Sequence, residues 1–158
     1  MKFSKFILLM FLISGLLACG GDDDNGGDGI NVGADGCGVS WTVNGENYSK
    51  NDLVFCVLLD NTFNMSSSVS GGDFMLQIDP ITSTGTFVAD PTDLTQTVLI
   101  NMVLNDGTRI VIKEGEIVVN ELSSSKVSGT FNGSFFDVQD INQTASFNVT
   151  NGQFEANL

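Results

Sequence analysis

From residue 39 to the C-terminus the chain alternates apolar and polar residues with a period of two, and turn residues break the alternation at short intervals. A period of two places successive side chains on opposite faces of a strand, whereas a helical face repeats every 3.6 residues. Trp41-Thr42-Val43 runs into Asn44-Gly45 and returns through Glu46-Asn47-Tyr48. Asn-Gly accepts positive φ at both central positions of a type I′ turn, the turn whose twist matches that of paired strands. Residues 53–59 read as one continuous apolar strand ended by Asp60-Asn61, and Phe63, Met65 and Val69 share a face over residues 62–70. Phe74, Leu76 and Ile78 line one side of the next strand, and Pro80 and Pro91 bracket an irregular stretch containing Gly85-Thr86-Phe87.

The second half repeats these devices. Residues 97–104 and 108–112 flank Asn105-Asp106-Gly107, Gly115 leads into Ile117-Val118-Val119, and Ser123-Ser124-Ser125 turns the chain. Val127, Gly129, Phe131, Gly133 and Phe135 share one face against Lys126, Ser128, Thr130 and Asn132. Phe147 and Val149 precede a turn expected at Asn151-Gly152, with Phe154, Ala156 and Leu158 beyond it. Because each strand can bury one face and wet the other, Phe154 and Leu158 are expected in the core. The expected fold is all-β, a single antiparallel β-sandwich or barrel of roughly 8–10 short strands.

The N-terminus is organised differently. Met1-Lys2-Phe3-Ser4-Lys5 is basic, and residues 6–17 are apolar apart from Ser14 and Gly15. A run of about 12 residues is too short for a bilayer helix, which needs roughly 20. A basic start, a short apolar middle and a small-residue cleavage site describe an export signal. Leu16-Leu17-Ala18-Cys19 resembles the lipobox of bacterial lipoproteins. That resemblance implies cleavage before Cys19 and acylation of its thiol; the alternative is a plain secretory signal in which Cys19 is incidental. Two or more acyl chains give a stable anchor where one gives a marginal one.

The stretch Gly20-Gly21-Asp22-Asp23-Asp24-Asn25-Gly26-Gly27-Asp28-Gly29 has no apolar residue to pack and reads as a flexible tether. Asp22, Asp23 and Asp24, close behind the lipidated cysteine, resemble the surface-export signal of Bacteroidota lipoproteins, which implies the outer face of the outer membrane. As a calcium loop the stretch fails, because position 12 counted from Asp22 is Gly33 where an EF-hand requires Glu. The organisation expected is a signal peptide over residues 1–18, a lipidated tether over 19–36 and one all-β domain over 37–158.

Charge narrows the partners. Nineteen acidic residues stand against six basic ones, and Lys2 and Lys5 lie within the signal. Such a chain repels nucleic-acid phosphates and anionic lipid heads. Of three cysteines, Cys37 and Cys56 remain after Cys19, an even number in a disulfide-permissive compartment. They form a bridge, which would contribute about 3 kcal/mol on the chain-entropy argument, or they are two free thiols.

Three segments together suggest a family: Val127-Ser128-Gly129-Thr130-Phe131-Asn132-Gly133, Val149-Thr150-Asn151-Gly152-Gln153-Phe154, and residues 41–45. They resemble small surface lipoproteins of Bacteroidota that pair a "G-T-F" strand with a terminal "T-N-G-x-F" hairpin and an early "W-x-V-N-G" hairpin. The resemblance implies the same anchored β-domain and carries no activity with it.

Histidine is absent, which removes the commonest general base and zinc ligand, and no phosphate-binding or dinucleotide motif occurs. No cofactor, metal or enzymatic activity is expected. Two carboxylates across a cleft would suffice for glycoside hydrolysis, but Asp79, Asp90, Asp93, Glu114, Glu116, Asp137 and Asp140 mostly sit at expected turns, where acids serve as caps. The expected function is a surface binding module for a glycan or a protein, with Trp41 and Tyr48 as candidate ligand contacts. Trp41 as a core anchor is the alternative reading of that residue. A structural, adhesion or assembly subunit of the envelope is the alternative function, and a carboxylate glycoside hydrolase ranks below both.

Overall fold

In the computed structural model, residues 36–68, 72–90, 92–93 and 95–158 are described. The signal peptide, Cys19 and the Asp22–Asp24 cluster lie outside the described residues, as does Val69. Ten strands follow one another: β1 (Cys37–Val43), β2 (Glu46–Lys50), β3 (Phe55–Leu59), β4 (Thr62–Ser66), β5 (Phe74–Asp79), β6 (Gly85–Ala89), β7 (Thr97–Val103), β8 (Arg109–Leu122), β9 (Lys126–Asp137) and β10 (Phe147–Asn157). They form one antiparallel sheet in the order β2-β1-β10-β9-β8-β7-β5-β4-β3, with β6 added on β8. The fold is therefore all-β, and the sheet curls on itself as a half-barrel.

The curl is built from the long strands. Along one edge β8 pairs first with β7, at Arg109–Val111, and then with β6, at 115–119, while β9 covers its whole other edge. Ile110 and Ile112 face the core from even positions, Ile117 and Val119 from odd ones, and the pairing with β9 shifts between Ile112 and Glu114. A bulge there changes the parity and bends the strand. Gly115 lies opposite Gly133 at the bend. A Cβ built on Gly115 would sit 2.7 Å from the Gly133 Cα, so only glycine permits the approach.

Curling brings the two ends of the sheet face to face. Phe63 of β4 packs on Phe154 of β10 with ring centroids 5.8 Å apart, and Trp41 of β1 stacks on Phe74 of β5 at 5.3 Å. A disulfide joins Cys37 of β1 to Cys56 of β3, with Cα atoms 6.6 Å apart. The core enclosed includes Val39, Met65, Leu76, Ile78, Ile100, Met102, Val127, Phe131, Phe135 and Val149, all essentially without exposure. Lys50 and Asp73 form an ion pair of 3.6 Å across the mouth, and the Arg109 guanidinium donates to the Gly72 carbonyl and to Asn101 Oδ1.

The structure follows the expected turns at Asn44-Gly45, Asn105-Asp106-Gly107 and Ser123-Ser124-Ser125. It departs from the sequence reading in four places. Asn151-Gly152 is a bulge inside the continuous β10: three steps from Val149 to Gly152 pair with two steps on β9, and Asn151 has φ +53°. Positive φ at Asn serves a bulge as well as a turn, and here strands β1 and β9 flank β10 along its length. Residues 108–112 and 117–119 are likewise one strand carried through a bulge. The apolar stretch 53–59 begins with a buried Leu53 but becomes the edge strand β3, leaving Val54 and Leu59 64% exposed. Phe154 is buried as its parity requires, whereas Leu158 is 40% exposed because β10 ends at Asn157 and the curled sheet offers nothing beyond.

Candidate functional site

The two-residue turn at Asn44-Gly45 sets the geometry of the first hairpin. It pairs Val43 with Glu46 and hence Trp41 with Tyr48, Thr42 with Asn47 and Ser40 with Ser49. Directly opposed residues share a face, so Trp41 and Tyr48 point inward together while Ser40, Thr42, Asn47 and Ser49 point out. Trp41 is only 2% exposed and belongs to the core; its indole is no open platform. Tyr48, half-buried on the edge strand β2, stacks on it with centroids 5.7 Å apart and planes 6° from parallel.

Outward, β1 has β10 as its other neighbour, with Ser40 opposite Gln153 and Thr42 opposite Thr150. The bulge at Asn151 bends β10 just there. A cleft of about 530 Å³ lies over it, lined by Ser40, Thr42, Asn47, Asn151 and Gln153, with Trp41 and Tyr48 completing the wall. Every polar side chain on that wall is uncharged: hydroxyls, amides, the Tyr48 phenol and the Trp41 indole. Thr42 Oγ1 donates to Asn47 Oδ1 at 2.9 Å, which orients the amide. Such a surface offers donors and acceptors in alternation and no fixed charge, the chemistry that recognises another hydroxyl-rich molecule.

On the inward side of β2 a second cleft, of about 390 Å³, opens between Tyr48, Lys50, Asp73 and the segment Val103–Asn105. The Tyr48 hydroxyl donates to Glu46 Oε2 at 2.9 Å, and Asn105 Nδ2 donates to Glu46 Oε1 at the same distance. Burial first, then the hydrogen bond to Glu46 and its negative charge, push the Tyr48 hydroxyl above its ordinary range, so it is neutral at any physiological pH. Trp41 also walls this cleft, and its Nε1 is buried without a hydrogen-bond partner. An unpaired buried donor costs about 1–3 kcal/mol. It is the one buried side-chain nitrogen or oxygen in that condition among the described residues.

No protein-family model, no curated protein and no solved structure matches the chain.

The carboxylates weighed for hydrolysis are committed to turns and strands. Asp90 Oδ1 accepts from the amide and hydroxyl of Thr92, Asp93 Oδ1 does the same for Thr95, and Asp137 Oδ1 accepts from the Gln139 amide. Asp140 accepts from the amides of Asn142 and Thr144. These bonds hold Asp90, Asp93 and Asp140 below the ordinary carboxylate range, the direction opposite to that of a general acid. Glu116 lies in β8 and accepts from Asn132 Nδ2 at 3.2 Å. Among the described residues no group of three or more acidic or cysteine side chains is placed to hold a metal ion.

Sequence reasoning singled out Trp41 and Tyr48, and the structure brings them together, but the residues that face solvent beside them were missed. The register imposed by a two-residue turn would have identified Ser40, Thr42 and Asn47 as one outward row. No local signal points to Asn151 and Gln153, which reach the site through strand pairing across more than a hundred residues.

Proposed function

We propose that this chain is a lipid-anchored module of the outer-membrane surface that captures a neutral, hydroxyl-rich ligand, a glycan, in the cleft over β1, β2 and β10. One observation carries the binding half of this reading: the outer cleft is walled by Ser40, Thr42, Asn47, Asn151 and Gln153, all uncharged hydrogen-bonding side chains in a strongly acidic chain. The anchoring half rests on the motif Leu16-Leu17-Ala18-Cys19 and on the Asp22–Asp24 run behind it. Recognition by such a wall needs no catalytic group.

The test is a glycan array probed with the full chain in detergent, followed by titration calorimetry on the hits. Thr42→Val and Gln153→Ala remove outward-facing polar groups without touching the core, so each should weaken a neutral-glycan hit at least fivefold at unchanged melting temperature. Silence on every glycan, with an envelope protein cross-linked through the same face, would replace this reading with the structural one. For the anchor, Cys19→Ala should release the chain from membranes; a variant that stays membrane-bound would remove that half. Replacing Asp22, Asp23 and Asp24 should leave the chain anchored but shielded from external protease, and undiminished surface cleavage would count against the outward-facing address.

A further inference from the structure

The path of the sheet ends on β2 and β3, and the two borders meet solvent differently. β2 carries Glu46 and Lys50 and is tied to its surroundings by the Lys50–Asp73 ion pair and the bond from Asn105 to Glu46. β3, Phe55-Cys56-Val57-Leu58-Leu59, holds no charge, no proline and no bulge. Those are the devices that keep an edge from pairing with another chain. We propose that β3 is a self-association edge, pairing antiparallel with β3 of a second copy about a twofold axis at Val57.

The turn after β3 fixes which backbone groups are free. Asp60 and Asn61, with φ of +49° and +66°, make a two-residue connection that opposes Leu59 to Thr62. In such a hairpin the flanking pair is hydrogen-bonded, and bonded and non-bonded pairs then alternate. Leu59, Val57 and Phe55 therefore bond to β4, while Cys56 and Leu58 direct their N–H and C=O groups to the open side. Among the described residues nothing takes those groups. Side chains follow the same alternation: Cys56 and Leu58 pack on the core, and Phe55, Val57 and Leu59 form an outward apolar row.

A strand added to that edge must offer bonding groups at the same spacing and apolar side chains on the same face. β3 itself does both. With Val57 opposite Val57, Cys56 faces Leu58 of the second copy, and each such pair exchanges both of its hydrogen bonds. Phe55, 38% exposed, then lies beside Leu59 of the second copy, 64% exposed, so the two cover each other. The next registers either way place Leu59 opposite Leu53, already buried in its own core, or Phe55 opposite the turn residue Asn61. Charge selects the same arrangement. The chain carries a net charge of −13, so two copies repel except where no acids meet. Here the flanking Asp60 stands beside Val54 of the second copy, an exposed apolar residue. An edge of five residues covers far less than the roughly 20–30 residues a side of a stable complex, so the dimer is weak and concentration-dependent.

Cysteine pairing reads the register directly. In the full chain carrying Cys19→Ala, Cys37 and Cys56 occupy their disulfide, so an introduced thiol is the only free one. Val57→Cys should form disulfide-linked dimers in a glutathione redox buffer at least tenfold faster than Val88→Cys, a 53% exposed position on β6. Leu59→Cys alone should not exceed that control, because its two thiols lie about 13 Å apart along the strands; mixed with Phe55→Cys it should cross-link. Without any new thiol, sedimentation equilibrium of the Cys19→Ala chain should show a dimer that forms as concentration rises. Val57→Lys sets two ammonium groups on the axis and should weaken that dimer at least tenfold while the melting curve stays cooperative. A chain that remains monomeric to millimolar concentration overturns the proposal, whether the edge is bare or held by another segment. Val57→Cys pairing no faster than Val88→Cys, or a dimer that Val57→Lys leaves intact, overturns it as well. Glycan capture over β1, β2 and β10 is read by a separate experiment and survives either result.

Discussion

Deleting Asn151 tests whether the parity of β10 is set by its bulge. Three residue steps on β10 face two on β9 between Val149 and Gly152, so removing one residue restores one-to-one pairing and forces half of the strand to turn over. If the C-terminal half turns, Phe154 and Ala156 leave a core where they are 1% and 0% exposed, and Glu155 turns inward. Losing a buried Phe costs about 3–5 kcal/mol. Burying a carboxylate, here one that pairs with Lys126 at 3.2 Å, costs several more. If the N-terminal half turns instead, the loss of Val149 burial costs about 1.5–3 kcal/mol. Turning Asn148 inward then adds about 1–3 kcal/mol.

The cheaper route is thus about 2.5–6 kcal/mol, a large share of the roughly 5–15 kcal/mol that holds a domain together. At about 3–5 °C per kcal/mol for a domain of this size, the melting temperature should fall by about 8 °C or more. Asn151 has φ +53°, so Asn151→Gly should be neutral within about 0.5 kcal/mol and Asn151→Ala should cost about 1 kcal/mol. Urea unfolding followed by the fluorescence of the single, buried Trp41 reports all three, read as midpoint shifts at constant slope. A deletion within 1.5 kcal/mol of the parent, or one no worse than Asn151→Ala, would refute the parity argument.

Further outcomes follow from other parts of the fold. Replacing Cys37 and Cys56 together by Ala should cost about 3 kcal/mol; a parent chain whose midpoint is unchanged by reductant would show that the bridge contributes nothing. Tyr48 holds its proton more tightly in the folded state than its ordinary 10.0, so its contribution is complete below pH 10 and is lost as the pH rises beyond it. Tyr48→Phe should flatten that alkaline limb of the melting curve, and an unchanged limb would exclude Tyr48 as its source. Asp90, Asp93, Asp106 and Asp140 are held below 3.8, so their contribution is present above that pH and fades as acid is added; melts at pH 2–5 should fall monotonically toward acid. Leu59, 64% exposed on the edge strand β3, should tolerate Lys within about 0.5 kcal/mol and reduce self-association by light scattering, since a charge blocks edge pairing; equal scattering would show that the edge is already protected. Asn151→Gly, which keeps the bulge but strips an amide from the outer cleft, should weaken a glycan hit without lowering the midpoint.

What the sequence made legible was whatever is decided within a few residues. Period-two alternation and Asn44-Gly45 led to the first hairpin, because a tight turn with φ of +49° and +91° is local chemistry. The same hairpin implied more than its alternation alone suggests. A two-residue turn opposes 43 with 46, and so 41 with 48, which puts Trp41 and Tyr48 on one face and Ser40, Thr42 and Asn47 on the other. Edges were not legible: Phe55-Cys56-Val57-Leu58-Leu59 is as apolar as a central strand, and only the absence of a further neighbour among the described residues makes it a border.

Asn151-Gly152 shows where local reading stops. Its dipeptide and the positive φ of its Asn match those of Asn44-Gly45, but Gly152 lacks the positive φ of Gly45, and one pair reverses the chain while the other keeps it going. The choice is made by neighbours: Asn44-Gly45 has strand on one side only after the reversal, whereas residues 147–157 find β9 and β1 waiting on both edges. A turn at 151 would abandon that pairing and expose Phe154; a bulge retains the pairing and lets Val149 and Phe154 both face inward. The extra residue has to go somewhere, and it goes outward, bending the strand beneath the row of Ser40, Thr42 and Asn47. The concavity at the surface is thus the other side of a packing solution in the core, which is why the site could not be read from the residues that line it.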